Sequence, residues 1–249
     1  MNTSKETKVA IVTGASRGIG AAVAKRLTAD GIAVLVNYAS NADSANAVME
    51  AIKGKGGRAT AIQADVSVPA QVADMFDQAI TLYGGVDILV NNAGIMQPGL
   101  ISLSDTDDAL FDKIVAVNLK GTFNTLRIAA GKLRDNGRIV NFSSSVRKLA
   151  TPGYTIYSAT KSAVETLTNI FAKELRGRNI TVNAVAPGPT ATDLFLKNKT
   201  NEQIRHLAQM PPLERLGQPE DIANAVAFLV GEDAGWVNGQ TIYVNGGIV

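Results

Sequence analysis

"KVAIVTGASRGIGAAVAKRL", residues 8–27, carries a β-branched apolar run into three closely spaced glycines and then into a second apolar stretch. A short run with so little polar interruption reads as a strand covered on both faces. Gly14, Gly18 and Gly20 occupy the turn that follows. Such a turn needs a tight reversal, close backbone approach to a ligand and close helix packing, and glycine permits all three. The helix that starts there offers free backbone amides to an anion. The spacing is G-x3-G-x-G and not G-x-G-x-x-G, so the inference rests on where the glycines lie, between a first strand and a first helix. On its own the loop also reads as a plain flexible turn; in this position it predicts that residues 14–20, including Ser16 and Ile19, cradle the phosphates of a dinucleotide.

Working outward, similar runs recur: "AVLVNY" at 33–38, "ATAIQAD" at 59–65, "VDILVNN" at 86–92, "GRIVNFS" at 137–143, "ITVNAVAPG" at 180–188 and "TIYVNGG" at 241–247. Between them lie amphipathic segments with helix punctuation. The stretch 41–53 opens on Asn41 or Asp43 and closes in "GKGG", and 69–83 begins with Pro69 at a first-turn position. Alternation of this kind predicts an α/β, doubly wound parallel sheet with helices on both faces, as one domain over 1–249. Ligands then bind beyond the carboxyl ends of the strands. The least regular region, 187–217, lies between the sixth and seventh strands, and its part from about 189 to 217 is expected to be a substrate lid.

Composition narrows the function. The 249 residues are 46% hydrophobic, enough for a sizeable core without a metal or disulfide staple. The net charge of +2 provides no broad basic field, so no nucleic-acid partner is expected. The absence of cysteine excludes disulfides and thiolate chemistry and fits a reducing compartment. His206, the single histidine, reads as a surface residue of the helical stretch "EQIRHLAQM", so no metal site is expected. The leader "MNTSKETK" is polar and no apolar run approaches the roughly 18 residues of a membrane span. A cytoplasmic protein with no membrane partner is the expectation.

The end of the second strand bears on which dinucleotide is held. A carboxylate there would bond a ribose 2′-hydroxyl and repel a 2′-phosphate. This strand ends with neutral Asn37, Tyr38 and Ser40, and Arg17 can reach the same corner, which predicts NADP(H) over NAD(H). Arg17 otherwise reads as a solvated loop charge. Further on, "SSSVRKLATPGYTIYSATK" at 143–161 sets Tyr157 and Lys161 four apart, on one face of a helix. A phenol has an ordinary pKa of about 10, and a nearby ammonium favours its ionised form. The pair is thus expected to bring a tyrosine acid towards neutral pH, where general acid–base catalysis works best.

Five tyrosines and 13 lysines in 249 residues make a chance Y-x-x-x-K roughly a one-in-four event, so the pair alone is weak. The ordered set is not. "TGASRGIG", "NNAG" at 91–94, "VN" at 117–118, the serines, "YSATK" at 157–161, "PG" at 187–188 and "WVNGQTIYVNGG" together resemble the short-chain dehydrogenase/reductase family over residues 8–247. The resemblance implies a seven-stranded sheet of order 3-2-1-4-5-6-7 and a nicotinamide cofactor. It also implies a homotetramer or homodimer built on the helices around 104–134 and 155–176. It carries a tetrad onto Asn118, Ser144, Tyr157 and Lys161, with Ser144 chosen among Ser143, Ser144 and Ser145 by the family's thirteen-residue separation from the tyrosine. In that tetrad Ser144 bonds the substrate oxygen and Asn118 holds a water that relays protons through Lys161. Asp65 and Val66 would flank the adenine, Asn92, Ala93 and Gly94 would line the cleft, and Pro187, Gly188, Thr190 and Thr192 would meet the nicotinamide end. Asn92 also reads as a purely structural brace of the sheet.

The leading expectation is an NADPH-dependent reductase acting on a small hydrophobic ketone and giving a secondary alcohol. Met96, Leu149, Tyr154, Leu194, Phe195, Leu196 and Met210 are its pocket candidates; no charged residue is clearly placed to hold a substrate carboxylate, although Arg147 and Lys148 near the serine turn could do so. The alternatives are a 3-oxoacyl carrier-protein reductase, whose docking would use basic turns such as "LRDNG" and "LRGRN", and a sugar or polyol dehydrogenase. A cofactor-binding protein without catalysis fits less well, because all four tetrad members are present.

Overall fold

The computed structural model describes residues 7–197 and 199–249. Residues 1–6 of the expected polar leader, and Asn198 within the expected lid, lie outside the described residues. The seven apolar runs form β1 (Val9–Val12), β2 (Ala33–Tyr38), β3 (Ala59–Gln63), β4 (Val86–Asn91), β5 (Leu133–Phe142), β6 (Thr181–Pro187) and β7 (Thr241–Val244). They make one sheet of order β3-β2-β1-β4-β5-β6-β7 in which every neighbouring pair is parallel.

Successive strand side chains point to opposite faces. Ala10 and Val12 enter one core with Val34, Val36, Ile88 and Val90, covered by α1 (Gly18–Ala29), α2 (Ala42–Lys53) and α10 (Pro219–Val230). Val9 and Ile11 enter the other with Leu35, Leu89, Ile139 and Val182, covered by α3 (Pro69–Tyr83), α5 (Gly121–Lys132) and α7 (Thr155–Glu174). Each strand is therefore apolar on both sides, which is why its sequence shows no alternation.

The helix ends follow local chemistry. Asn41 caps α2, its Oδ1 accepting from the Ser44 amide at 2.9 Å, and Pro69 opens α3, where a missing N–H costs nothing. Two features depart from the sequence expectation. The helix expected around 104–134 is α4 (Asp108–Ile114) and α5 joined by a π-helical stretch, Val115–Lys120, in which the Gly121 amide reaches back to the Ala116 carbonyl. Strand β5 begins at Leu133, not 137: Leu133 pairs with Val86, Arg138 with Ile88, and the intervening residues bulge through Asn136 at φ 64°.

The remaining helices are short and surround the carboxyl ends of the strands: α6 (Val146–Leu149), α8 (Asp193–Leu196) and α9 (Asn201–Gln209). The segment 189–217 is pinched at its base, with the Ala191 amide on the Gly217 carbonyl at 2.8 Å and the Gly217 amide on the Pro189 carbonyl at 2.9 Å. No residue of α8 or α9 is buried, and His206 lies exposed on α9.

Phe76 is fully buried on α3 within the second core. Phe76→Ala is expected to lower unfolding free energy by about 3–5 kcal/mol in chemical denaturation, through lost burial plus the cavity left behind.

Candidate active site

The glycine turn is pressed against the end of β4. A side chain at Gly14, whose φ is +61°, would place its Cβ 2.9 Å from Ala93 Cα, and one at Gly20 would lie 2.5 Å from Asn92 Nδ2. Asn92 Nδ2 donates to the carbonyls of Thr13 and Gly14 at 2.9 and 3.0 Å, and Thr13 Oγ1 accepts from the amides of Asn92 and Ala93 at 3.0 Å each. Of the two readings of Asn92, the geometry is that of the brace. Thr13, not singled out in the sequence, is its partner; its position just ahead of Gly14 was the available signal.

Asn37 is corrected. Expected at the ribose corner, its side chain is buried, accepts from the Gly14 amide at 3.2 Å and donates to the Ala64 carbonyl at 3.0 Å. Those bonds hold the glycine turn to β2 and β3 and leave the amide nothing to offer a ligand. The corner itself is formed by half-buried Ser16 and Tyr38 and by exposed Ser40 and Arg17. The Arg17 guanidinium makes no hydrogen bond or ion pair among the described residues, and residues 37–40 contain no carboxylate. Ile19 packs its side chain against the first core.

Around the cleft, Asp65 turns its carboxylate onto the Ser67 amide and hydroxyl at 2.9 and 2.7 Å. Val66 packs against Gly121, where a Cβ would come within 2.6 Å of Val66 Cγ2. Across from the glycine turn, Thr192 Cγ2 lies 3.4 Å from the position of a Gly18 Cβ, and Thr190 Oγ1 donates to the Gly188 carbonyl at 2.9 Å. The Pro187 carbonyl accepts from the Ser145 amide at 2.9 Å, tying this segment to the serine turn.

Asn118, Ser144, Tyr157 and Lys161 converge beside Gly94. A Cβ on Gly94 would stand 3.4 Å from Asn118 Oδ1 and 3.6 Å from Lys161 Nζ. Asn118 lies fully buried in the π-helical stretch, and its side chain clasps the backbone of Ile95, accepting from the amide at 2.8 Å and donating to the carbonyl at 2.9 Å. Lys161 is buried on α7 and donates to the Phe142 carbonyl at 2.8 Å, with its nitrogen 5.6 Å from the Tyr157 ring centre.

The three serines separate cleanly. Ser143 Oγ donates to Glu165 Oε1 at 2.6 Å, while Ser145 Oγ donates to the Ala186 carbonyl at 3.2 Å and accepts from Asn245 Nδ2 at 3.1 Å. Both are buried. Of the three, Ser144 is the one that interacts with the Tyr157 phenol, and its Oγ also accepts from the Val146 amide at 3.3 Å.

The electrostatics differ from the sequence expectation. Burial pushes the Tyr157 phenol up to about 12; the Ser144 hydrogen bond pulls the other way, and Tyr154, whose ring meets Tyr157 edge-on at 6.3 Å, adds to the rise. Tyr157 keeps partial solvent access at its ring, so we take the crowding around the phenol as the governing influence. Burial brings the Lys161 ammonium down to about 8. The lysine is aimed at a carbonyl and its charge does not offset desolvation of the phenol. Of the two basic residues by the serine turn, Arg147 pairs with Glu165 at 2.9 Å and donates to the Tyr243 hydroxyl at 2.6 Å, and exposed Lys148 lies over the Tyr243 ring at 4.2 Å. The Arg147 charge is thus already engaged by a carboxylate. Among the pocket candidates, Tyr154, Met96, Leu149, Phe195 and Leu196 are half-buried, and Leu194 and Met210 are exposed.

A family model described as enoyl-(acyl carrier protein) reductase matches residues 14–249. The chain is 45% identical to an NADPH-dependent aldehyde reductase-like protein, chloroplastic, of Arabidopsis thaliana, over 97% of this chain and 94% of that one. It is 44% identical to the 3-oxoacyl-(acyl-carrier-protein) reductase FabG of Staphylococcus aureus, over 98% and 99%. A short chain dehydrogenase from Burkholderia cenocepacia, solved in complex with NADP, superposes with a TM-score of 0.91 at 38% identity, over 98% and 99% of the two chains. With matches that run nearly end to end over a seven-stranded sheet of the same order as the motifs implied, the chain belongs to the short-chain dehydrogenase/reductase family.

Proposed function

We propose that this oxidoreductase transfers hydride between NADPH and the carbonyl of a small, hydrophobic ketone, giving a secondary alcohol. The observation that carries the reading is the placement of Ser144 beside Tyr157. The hydroxyls of its two neighbours are engaged by Glu165, Ala186 and Asn245, whereas Ser144, whose Oγ accepts from the Val146 amide at 3.3 Å, is the serine that meets the phenol of Tyr157.

The residues present suit the dinucleotide. The glycine turn leaves a cradle beside the free amides at the start of α1, the first turn of that helix has no acidic side chain, and Arg17 is unpaired among the described residues. A 2′-phosphate meets a guanidinium there and no carboxylate. Gly14, Ser16, Gly18, Ile19 and Gly20 would hold the pyrophosphate, Arg17, Tyr38 and Ser40 the 2′-phosphate, Asp65 and Val66 the adenine, and Ala93, Gly94, Pro187, Gly188, Thr190 and Thr192 the nicotinamide half. The bound cofactor supplies the hydride. Tyr157, kept protonated by burial, gives its proton to the carbonyl oxygen, and Ser144 donates a hydrogen bond to the charge growing there. Lys161 sets a positive charge beside the phenol, and Asn118 secures the Ile95 backbone under the reacting centre.

The pinched segment 189–217 is read as a lid, with Leu194 and Met210 exposed on it and Phe195 and Leu196 turned partly inward. A homotetramer or homodimer is supported by Phe111, Phe123 and Ile170 standing on the surfaces of α4, α5 and α7, and by Trp236, 99% exposed, near the open edge of β7. No helix among the described residues is long and apolar enough to cross a membrane, and a reducing compartment such as the cytoplasm suits the cysteine-free sequence.

The 44% identity to FabG favours a second reading, reduction of a carrier-bound 3-oxoacyl thioester. Against it, within one chain Arg134 lies at the start of β5 and Arg178 just before β6, at the sheet end opposite Ser144, and they pair with Asp87 and Asp135. Turnover on free ketones compared with a carrier-bound 3-oxoacyl substrate separates the two; faster turnover of the carrier-bound form overturns the first.

Tyr157→Phe is expected to leave NADPH binding within about twofold and to lower kcat by at least about 10²-fold, the range of general acid catalysis. Substantial residual reduction removes Tyr157 as the acid. In the wild type kcat/KM is expected to favour NADPH over NADH, and Arg17→Ala to weaken that preference about tenfold, one charge-assisted bond on an exposed loop. Equal values for the two cofactors in the wild type contradict the assignment.

The pH dependence follows from the two buried groups. Lys161 is cationic below about 8 and neutral above it, while Tyr157, at about 12, remains an acid throughout. The kcat/KM for NADPH in ketone reduction reports groups of the free enzyme. It is expected to be level up to about pH 8 and then to fall as the ammonium is lost. A rise through that range counts against a role for the Lys161 charge.

A further inference from the structure

Tyr157, Lys161, Glu165 and Thr168 follow one face of α7 at helical spacing. Three of them grip consecutive residues at the end of β5 and the start of the serine turn. Thr168 Oγ1 accepts from Asn141 Nδ2 at 2.8 Å, Lys161 donates to the Phe142 carbonyl at 2.8 Å, and Glu165 Oε1 accepts from Ser143 Oγ at 2.6 Å. The next residue is Ser144. Glu165 does more than continue the series, because its other oxygen pairs with Arg147 Nε at 2.9 Å, so one carboxylate holds the residue before Ser144 and the residue three after it.

The far side of the turn is also held. Tyr243 and Asn245, two apart and so directed to one face of the strand end, reach the same turn. Tyr243 takes a hydrogen bond from Arg147 at 2.6 Å and gives one to Glu165 Oε1 at 3.5 Å, while Asn245 Nδ2 donates to Ser145 Oγ at 3.1 Å. The Glu165 side chain is 15% exposed and that of Arg147 33%, so the pair is partly shielded from solvent and shares its load with two hydroxyls. Around Ser144, residues 143, 145 and 147 are all anchored through their side chains, and Glu165, which anchors residues 143 and 147, sits on the helix that carries Tyr157.

We propose that Glu165 is a positioning residue for the reaction. Its carboxylate spans the serine turn and locks the Ser144 hydroxyl in register with Tyr157, with Arg147 and Tyr243 holding the carboxylate from behind. The proposal rests on the reading above, in which Ser144 and Tyr157 meet the substrate carbonyl. Displacement of a reacting group by about 1 Å can cost on the order of 10²-fold in rate, so loss of this grip acts on turnover and not only on stability.

The test uses the full-length enzyme with NADPH and a ketone that it turns over. Glu165→Ala is expected to lower kcat by about 10- to 100-fold while the Kd for NADPH stays within about twofold, and Glu165→Gln, which keeps an acceptor for Ser143, to recover part of the loss. In a Ser144→Ala background, Glu165→Ala is expected to cost less than about twofold more, since two changes acting through one group do not add. Unchanged kcat in Glu165→Ala overturns the proposal, as do losses that multiply in the double variant. If Glu165→Ala does not fold, Arg147→Met carries the same comparison, with a smaller loss in kcat and the same non-additivity with Ser144→Ala. Wild-type turnover by Ser144→Ala alone overturns the underlying role of Ser144, an outcome distinct from failure of the positioning step.

Discussion

Two asparagines, buried Asn37 and half-buried Asn92, hold the glycine turn from opposite sides, and the geometry of the nucleotide end depends on them. Asn37 accepts the Gly14 amide from the β2 side, and Asn92 donates to the Thr13 and Gly14 carbonyls from the β4 side. A turn with φ +61° at Gly14 leaves backbone groups that the sheet ladder cannot pair, and unpaired buried groups are costly. Neutral amides answer this because each both donates and accepts without bringing a charge into the sheet. The turn is thereby fixed before any ligand arrives, with the start of α1 open towards the cleft.

The catalytic half uses a different device. Helix α7 is docked on the end of β5 by side chains that reach across, Lys161 to a carbonyl, Glu165 to a hydroxyl and Thr168 to an amide. Desolvation then moves the two ionisable groups in opposite senses, Tyr157 towards a permanent acid and Lys161 towards a readily exchanged ammonium. Groups pushed in opposite directions by their surroundings suit a site that must deliver one proton and replace it from elsewhere. The π-helical stretch at Asn118 serves the same docking, since its extra residue turns the amide onto Ile95.

Much of this was legible from the residues. The seven strands were readable because apolar residues on both faces leave unbroken runs, and Asn41, Pro69 and the glycines marked the helix ends by local chemistry alone. The four tetrad candidates stood out because their types and order are unusual together. Asn37 was misjudged because a neutral residue at a strand end looks the same whether it faces a ribose or a neighbouring loop. The partners of Arg147, Glu165 and Tyr243, were not legible because they are 18 and 96 residues distant from it and no local pattern links them. The bulge in β5 and the π-helical stretch left no local trace for the same reason: both are set by what the neighbouring element offers to pair with.

What the sequence by itself determined is the architecture and the identity of the chemically capable groups, since hydrophobic burial and glycine conformation act on local pattern. What only the tertiary structure decided is which of those groups are free. Of three adjacent serines, two are spent on Glu165, Ala186 and Asn245 and the third, Ser144, is turned to the Tyr157 phenol; of two amides beside the glycine turn, both are spent on the backbone. Whether a polar group is available depends on whether folding has already satisfied it, and its partners come from distant parts of the chain.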